Sequence, residues 1–393
     1  MSSIIADILR CLFFTVLLFN WSQTVVGTHN VSQVDFPLQS ADLNGRMVIV
    51  DSSGKRVKLA CVNWSGGQLE GFVVNGLDKQ PLSSIAEKIA SLGFNCIRLV
   101  NSLDVIYKNP IIDSERLTAN PDLVGKSALE IHDEVVKALT DANLMVIINN
   151  HMSNAGWCCS YDDGNGFWYT PEYPEEVFFE HWTFMAERYL SNPLVIGADL
   201  RNEIRGIKDE NVPGGISYAT WGLGIESLDW NVAAEKAALR VHEANPNMLI
   251  IVGGIFTGGF LSPAFVAPIH VPNQAKLVYQ GHIYDGVAGL SDLPYEQFDI
   301  VLTALQSFVE KSGHEYSAPF WMGEFGTGSD SENWRKILRF IKEHDLDWGY
   351  WCIDGYQFGR DDDSDYGVLM NDFATIRDSW RLEELQEIMP ILS

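Results

Sequence analysis

The stretch NPLVIGADLRNE (192–203) is an apolar run that reads as a buried strand, yet it closes on Asn202 and Glu203. A second carboxylate, Glu324, sits in WMGEFG, another apolar run. Two carboxyl groups on separate strands can divide acid–base work. One, protonated, gives its proton to a leaving oxygen; the other, ionised, attacks a carbon or directs water at it. That division suits cleavage of a glycosidic bond. Taken singly, Glu203 reads equally well as the cap of a following helix, and Glu324 as half of an ion pair. Arg98, inside FNCIRLV, supplies the other half. An arginine in an apolar strand costs several kcal/mol if left unpaired, and pairing it with Glu324 keeps that carboxylate charged.

Short apolar runs alternate with longer amphipathic segments along most of the chain. The strand candidates are KLACVNW, NCIRLV, LMVIINNH, PLVIGADLRNE, MLIIVGG, AKLVYQGHIY, PFWMGEF and WGYWCID. Helical patterns lie between most of them, and RMVIVDSSGKRVKLA reads as a preceding hairpin. The pattern predicts an α/β fold, a (β/α)8 TIM barrel with enlarged loops on the catalytic face. A doubly wound open sheet would want a glycine-rich phosphate turn after an early strand, and none is present. In a barrel the chemistry collects at the C-terminal strand ends. Those ends carry Asn63 and Trp64, Arg98, Asn149 with Asn150 and His151, Asn202 with Glu203, a glycine-only fifth end, His282 with Tyr284, Glu324, and Trp351. Each alone has a bland explanation in packing or hydrogen bonding; a ring of them at one pole implies a site. Trp157, Trp168, Tyr169 and Trp221, in the loops, offer flat faces for sugar rings.

With 46% hydrophobic and 11% aromatic residues the chain can fill a large core. Its formal net charge of −25 argues against nucleic acid and anionic polymers as partners. A short apolar core, Cys11 to Phe19, followed by small residues reads as a secretory signal over 1–27. One catalytic domain, 28–393, remains, and the expected location is outside the cell or in the wall, with no membrane contact after cleavage. Loss of Cys11 leaves Cys61, Cys96, Cys158, Cys159 and Cys352, an odd number, so at least one thiol stays unpaired. Their spacing suits no structural zinc site, and neither a metal nor a cofactor is expected. Asn30-Val-Ser is a plausible glycan acceptor; Asn63-Trp-Ser falls at a strand end inside the cleft, where modification is not expected.

From about Val57 to Ile388 the chain resembles glycoside hydrolase family 5, the cellulase family of retaining (β/α)8 hydrolases. The resemblance rests on CVNWSG, FNCIRLV, IINNH, NPLVIGADLRNE, GHIYD, GEFG and GYWCID, in that order. It implies that Glu203 is the general acid/base and Glu324 the nucleophile, with Asn202 bonding the sugar 2-hydroxyl. It further implies that Arg98 and Tyr284 hold the nucleophile, that His151 and His282 line the cleavage subsite, and that Trp351 lies under its sugar. GNGFWYTPE resembles a loop of secreted bacterial endoglucanases, which would put Trp168 beside the leaving-group sugars. Ile204 stands where the family usually has proline, and the adjacent Cys158 and Cys159 match no family disulfide. The implied activity is hydrolysis of a β-linked polysaccharide or oligosaccharide by a monomer, most simply an endo-β-1,4-glucanase. A β-1,4-mannanase, a β-1,3-glucanase, an inactive sugar-binding barrel and an intracellular metabolic barrel are the alternatives; both glutamates being intact disfavours the inactive barrel.

Overall fold

The computed structural model describes residues 30–285, 289–355 and 365–389; the secretory signal expected over 1–27 lies outside the described residues. Eight parallel strands close into a barrel: Ala60–Trp64 (β1), Cys96–Ser102 (β2), Met145–Met152 (β3), Val195–Asp199 (β4), Leu249–Gly253 (β5), Leu277–Tyr284 (β6), Phe320–Gly326 (β7) and Asp347–Tyr350 (β8). Each pairs with the next in sequence and β8 returns to β1, the expected order. Helices Leu82–Ser91 (α1), Ala128–Asp141 (α2), Glu175–Arg188 (α3), Trp230–Ala244 (α4), Tyr295–Leu305 (α5), Glu332–Glu343 (α6) and Ser379–Ile388 (α7) run outside it. The β5–β6 connection carries only short 3-10 turns, among them Ser262–Phe265.

Local chemistry explains the helices. α2 opens on a capping box, Ser127 accepting from Glu130 N while the Glu130 carboxylate accepts from Ser127 N. Its buried Ala128, Ile131, Val135 and Leu139 recur at helical spacing and face the barrel wall. The strands are buried on both faces, by helices outside and by packed side chains inside, which is why they read as near-continuous apolar runs.

The inner face decides where the site lies. Side chains two apart along a strand share a face, so Cys61 is followed inward by Asn63, Cys96 by Arg98, and Ile147 by Asn149 and His151. At the N-terminal pole this inner layer is apolar: Cys61, Cys96, Ile147, Leu249, Ile251, Val278 and Trp321 pack with Val31, Leu38 and Leu59 beneath the barrel. One step further along β1, β2, β3 and β6 it becomes polar, with Asn63, Arg98, Asn149 and Gln280. In β7 a register shift between Met322 and Phe325 inserts one residue and changes the alternation where Glu324 lies.

Two expectations are corrected. Arg46–Val50 pairs chiefly with Gln39–Leu43 across Asn44-Gly45, whose φ values of 59° and 87° suit a two-residue hairpin turn. The expected partner segment beyond Asp51 contributes one bridge, Val50 to Arg56. β4 stops at Asp199, so Asn202 and Glu203 lie on the connection beyond the strand.

Cys61 and Cys96 are register partners on β1 and β2 and are joined as a disulfide, Cα–Cα 4.2 Å. Cys352 is a buried free thiol, in keeping with the odd count. Replacing Cys61 and Cys96 together by Ala opens a cross-link spanning 35 positions of sequence. The barrel is expected to persist with a stability loss of about 3–4 kcal/mol, read as a lower urea midpoint; an unchanged midpoint would show that the pair is not bonded in solution.

Candidate active site

Arg98 is the centre of the polar layer. It is wholly buried and every part of its guanidinium is engaged. Nε donates to Asp199 Oδ2 at 2.6 Å, Nη1 to Asn63 Oδ1 at 3.0 Å and to Glu324 Oε1, and Nη2 to Asn202 Oδ1 at 2.9 Å. Asn63, from β1, braces this arrangement: its amide donates to the carbonyls of Gly323, Gly349 and Tyr350 at 3.1–3.3 Å. Asn63 is fully buried, so it supports the site rather than touching a ligand, and its sequon is closed.

Burial alone would push the Glu324 carboxyl up; the adjoining His282 and Arg98 outweigh it and hold the group well below the usual carboxylate range. Tyr284 adds to this, donating its hydroxyl to Glu324 Oε2 at 2.8 Å. Asp199 shows the opposite balance: burial dominates and raises its carboxyl despite Arg98. Asp199 also accepts from Asn149 at 2.9 Å and from Gln280 at 3.3 Å. It was not singled out in the sequence, although a charge inside GAD of an apolar strand was the available signal.

Two histidines are fixed by their neighbours. Gln280 Nε2 lies 3.1 Å from His282 Nε2, and His282 Nδ1 faces Glu203 Oε1 at 3.1 Å and Glu324 Oε2 at 3.7 Å. His151 Nδ1 donates to Asn149 Oδ1 at 2.9 Å, with Asn202 Nδ2 3.4 Å from Nε2. Burial drives the His151 pKa far below its ordinary value, so its ring is neutral at neutral pH. Gly323 is required here, because a Cβ would come within 2.0 Å of the Gln280 amide.

Glu203 has φ of 39°, a strained region for a residue with a side chain. The surrounding bonds enforce it. Asn202 N donates to Asn150 O, Arg205 N to Gly166 O and Thr257 N to Ile204 O, each at 2.9 Å, and Arg205 Nη1 donates to Glu203 O at 3.0 Å. Buried Arg201 ties the segment to Asn150 Oδ1 and Asn165 O. Ile204, in the place of the usual proline, is itself buried. The outcome is that oxygens of Glu203 and Glu324, with His282 Nδ1 or Nε2, lie within 4.8 Å of one another.

Trp351 is half-buried and stacks on His151, ring centroids 5.4 Å apart. Trp168 does not meet the expectation placed on it. It is completely buried, donates to Glu175 Oε1 at 2.8 Å and packs 5.5 Å from Trp230 of α4. A ring enclosed on all sides cannot stack on a sugar; it anchors the loop after β3 onto α3 and α4. Trp221 is likewise buried, bonded to Ala267 O at 2.7 Å. Trp157, 46% exposed, is the most open of the loop aromatics anticipated from sequence.

Two clusters among the described residues have metal-ligand composition: Glu203, His282 and Glu324, and Cys158, Cys159 and Glu203. In the first, Arg98 and Tyr284 already occupy the Glu324 oxygens, which favours an internal network over a cation.

Residues 25–357 match the family model described as Cellulase (glycosyl hydrolase family 5). A glycosyl hydrolase 5 family protein of Chamaecyparis obtusa is 33% identical across 88% of this chain, which spans 65% of that relative's length. The major extracellular endoglucanase of Xanthomonas campestris pv. campestris is 27% identical, over 87% of this chain and 70% of the relative. An endocellulase from Pyrococcus horikoshii, solved as a complex with cellotetraose, superposes with TM-score 0.75 at 26% identity, covering 91% of this chain and 100% of that one.

Removing Arg98 leaves two buried carboxylates without their cation. Arg98→Ala is expected to cost about 3–5 kcal/mol of stability. Asp199→Asn, which keeps an acceptor for the guanidinium, is expected to cost less. Urea denaturation of both variants checks the ranking, and the reverse order would contradict it.

Proposed function

The chain belongs to glycosyl hydrolase family 5, and on that premise we propose that it hydrolyses internal β-1,4 linkages of glucan by double displacement. Glu203 is the acid/base and Glu324 the nucleophile. The observation that carries this reading is the pair itself. Oxygens of the two carboxylates lie within 4.8 Å, close to the ~5–5.5 Å of direct attack and short of the ~6.5–9.5 Å that admits a water between them. The relatives named as endoglucanases and the cellotetraose complex support a cellulose-type substrate.

Ionised Glu324 attacks the anomeric carbon while Glu203 gives its proton to the departing glycosidic oxygen. The bond to the leaving sugar breaks and an ester to Glu324 forms. Glu203, now a carboxylate, accepts a hydrogen bond from His282 Nδ1–H and takes a proton from the incoming water. That water attacks the same carbon, releasing Glu324 and restoring the β configuration. Arg98 fixes the Asn202 carbonyl, which aims the amide nitrogen as a donor for the sugar 2-hydroxyl. Trp351, stacked on His151, offers the platform under the sugar being cleaved.

The proposal includes secretion, with the mature chain starting near residue 28. The apolar leader supports it, as does the Xanthomonas relative, named extracellular. Amino-terminal sequencing of material from the medium should begin near Thr28; a chain retaining Ser2 would contradict cleavage.

Product analysis on cellulose, mixed-linkage glucan, mannan and laminarin tests the substrate, and proton NMR before mutarotation tests the stereochemistry. Cleavage of the β-1,4 glucans with β-anomers formed first is expected. Exclusive action on mannan or laminarin would overturn the substrate assignment, and α-anomers first would overturn the mechanism.

Since Glu324 reacts as the carboxylate, the acid limb of kcat/KM follows its pKa in the free enzyme. Tyr284→Phe deletes a hydrogen bond to the charged form and so raises that pKa. The acid limb should move to higher pH and kcat/KM should fall about 10–100-fold, as for loss of a charged hydrogen bond. An unchanged profile would contradict the assignment of Glu324.

A further inference from the structure

The consecutive cysteines have no place in the mechanism above. Cys158 and Cys159 lie on the loop that follows β3, joined to each other and half-buried at the mouth of the barrel. Both sulfurs and a Glu203 carboxylate oxygen lie within 4.8 Å of one another. The Asn202 amide nitrogen is 3.5 Å from Cys158 Sγ and 3.9 Å from Cys159 Sγ.

The pair is held there from both sides. Ala155 N donates to Asp104 Oδ2 at 2.8 Å and Gly156 N to Gln68 O at 2.9 Å. On the other side Arg205 Nε donates to Ser160 O at 3.0 Å, and the same guanidinium holds the Glu203 carbonyl. Arg205 therefore fixes the sulfurs and the acid/base relative to each other.

Taking Glu203 as the acid/base, as proposed above, we infer that the Cys158–Cys159 disulfide is a contact surface for the sugar on the leaving-group side. An acid at work lies about 2.6–3.2 Å from the oxygen it protonates. The ring bearing that oxygen begins beside Glu203, within reach of the sulfurs. A disulfide has no donor to satisfy and is polarisable, so it suits the C–H face of a pyranose. Beyond the pair the same loop exposes Trp157 and Tyr161. Tyr161 meets Tyr218 at 6.2 Å, and Tyr218 meets half-exposed Phe256 at 5.8 Å. These rings extend the apolar surface for a further glucosyl unit and take over the role expected of Trp168.

The test compares two substrates that differ only on that side. Cellotetraose places sugars against the disulfide; β-cellobiosyl fluoride fills the other side and leaves as fluoride. In the Cys158→Ser/Cys159→Ser variant, the ratio of kcat/KM for cellotetraose to that for the fluoride should fall about tenfold or more. Native protein treated with a phosphine reductant, its Cys61–Cys96 pair shielded by burial, should show the same change. An unchanged ratio in both, whether the two rates fall together or neither falls, would overturn the inference. Native protein that cleaves neither substrate would instead refute the proposed function on which it rests.

Discussion

A guanidinium with no solvent contact must find all its partners within the protein, and Arg98 dictates much of this structure. Its desolvation is offset only if each donor meets a well-placed acceptor. Those acceptors come from β1 (Asn63), β4 (Asp199), the segment after β4 (Asn202) and β7 (Glu324). Strands remote in sequence are thereby locked in relative height. The same bonds that satisfy the arginine hold the Asn202 side chain and favour the charged form of Glu324, so the relative placement of the strands and the charge of Glu324 rest on one constraint.

The barrel supplies that constraint with a frame. Along β1, β2, β3 and β6 one inward row passes from apolar (Cys61, Cys96, Ile147, Val278), at the pole plugged by Val31, Leu38 and Leu59, to polar (Asn63, Arg98, Asn149, Gln280) at the other pole. The polar row would be prohibitively costly as separate groups; as a closed network its members satisfy one another. Asp199, Gln280 and Asn149 serve in this way, linking Arg98 to His282 and His151. Local strain at Glu203 is tolerated because the flanking backbone is bonded to β3, through Asn150, and to two separate loops, through Gly166 and Thr257.

The barrel and its principal pair were legible in sequence because they violate local expectation: Glu203, Glu324 and Arg98 are charges in or at the end of apolar runs. Tyr284 and Asn63 followed from strand position. Asp199 hid inside the run taken to extend to Glu203, and only tertiary pairing shows that β4 ends there. Trp168 was misread because neither periodicity nor composition tells which face of a loop is turned inward. Its burial depends on α3 and α4, elements brought near it by folding. The cysteine pair was visible as an oddity, but its place beside Glu203 depends on where Arg205 pins the loop.

The central claim is that the buried network keeps Glu324 ionised. It is tested most directly by titrating carboxyl-13C-glutamate protein by NMR, with the Glu324 resonance assigned from Glu324→Gln. The account predicts a carboxylate shift that persists below the pH at which ordinary glutamates protonate, about 4.3. Protonation of Glu324 at or above that value would contradict it.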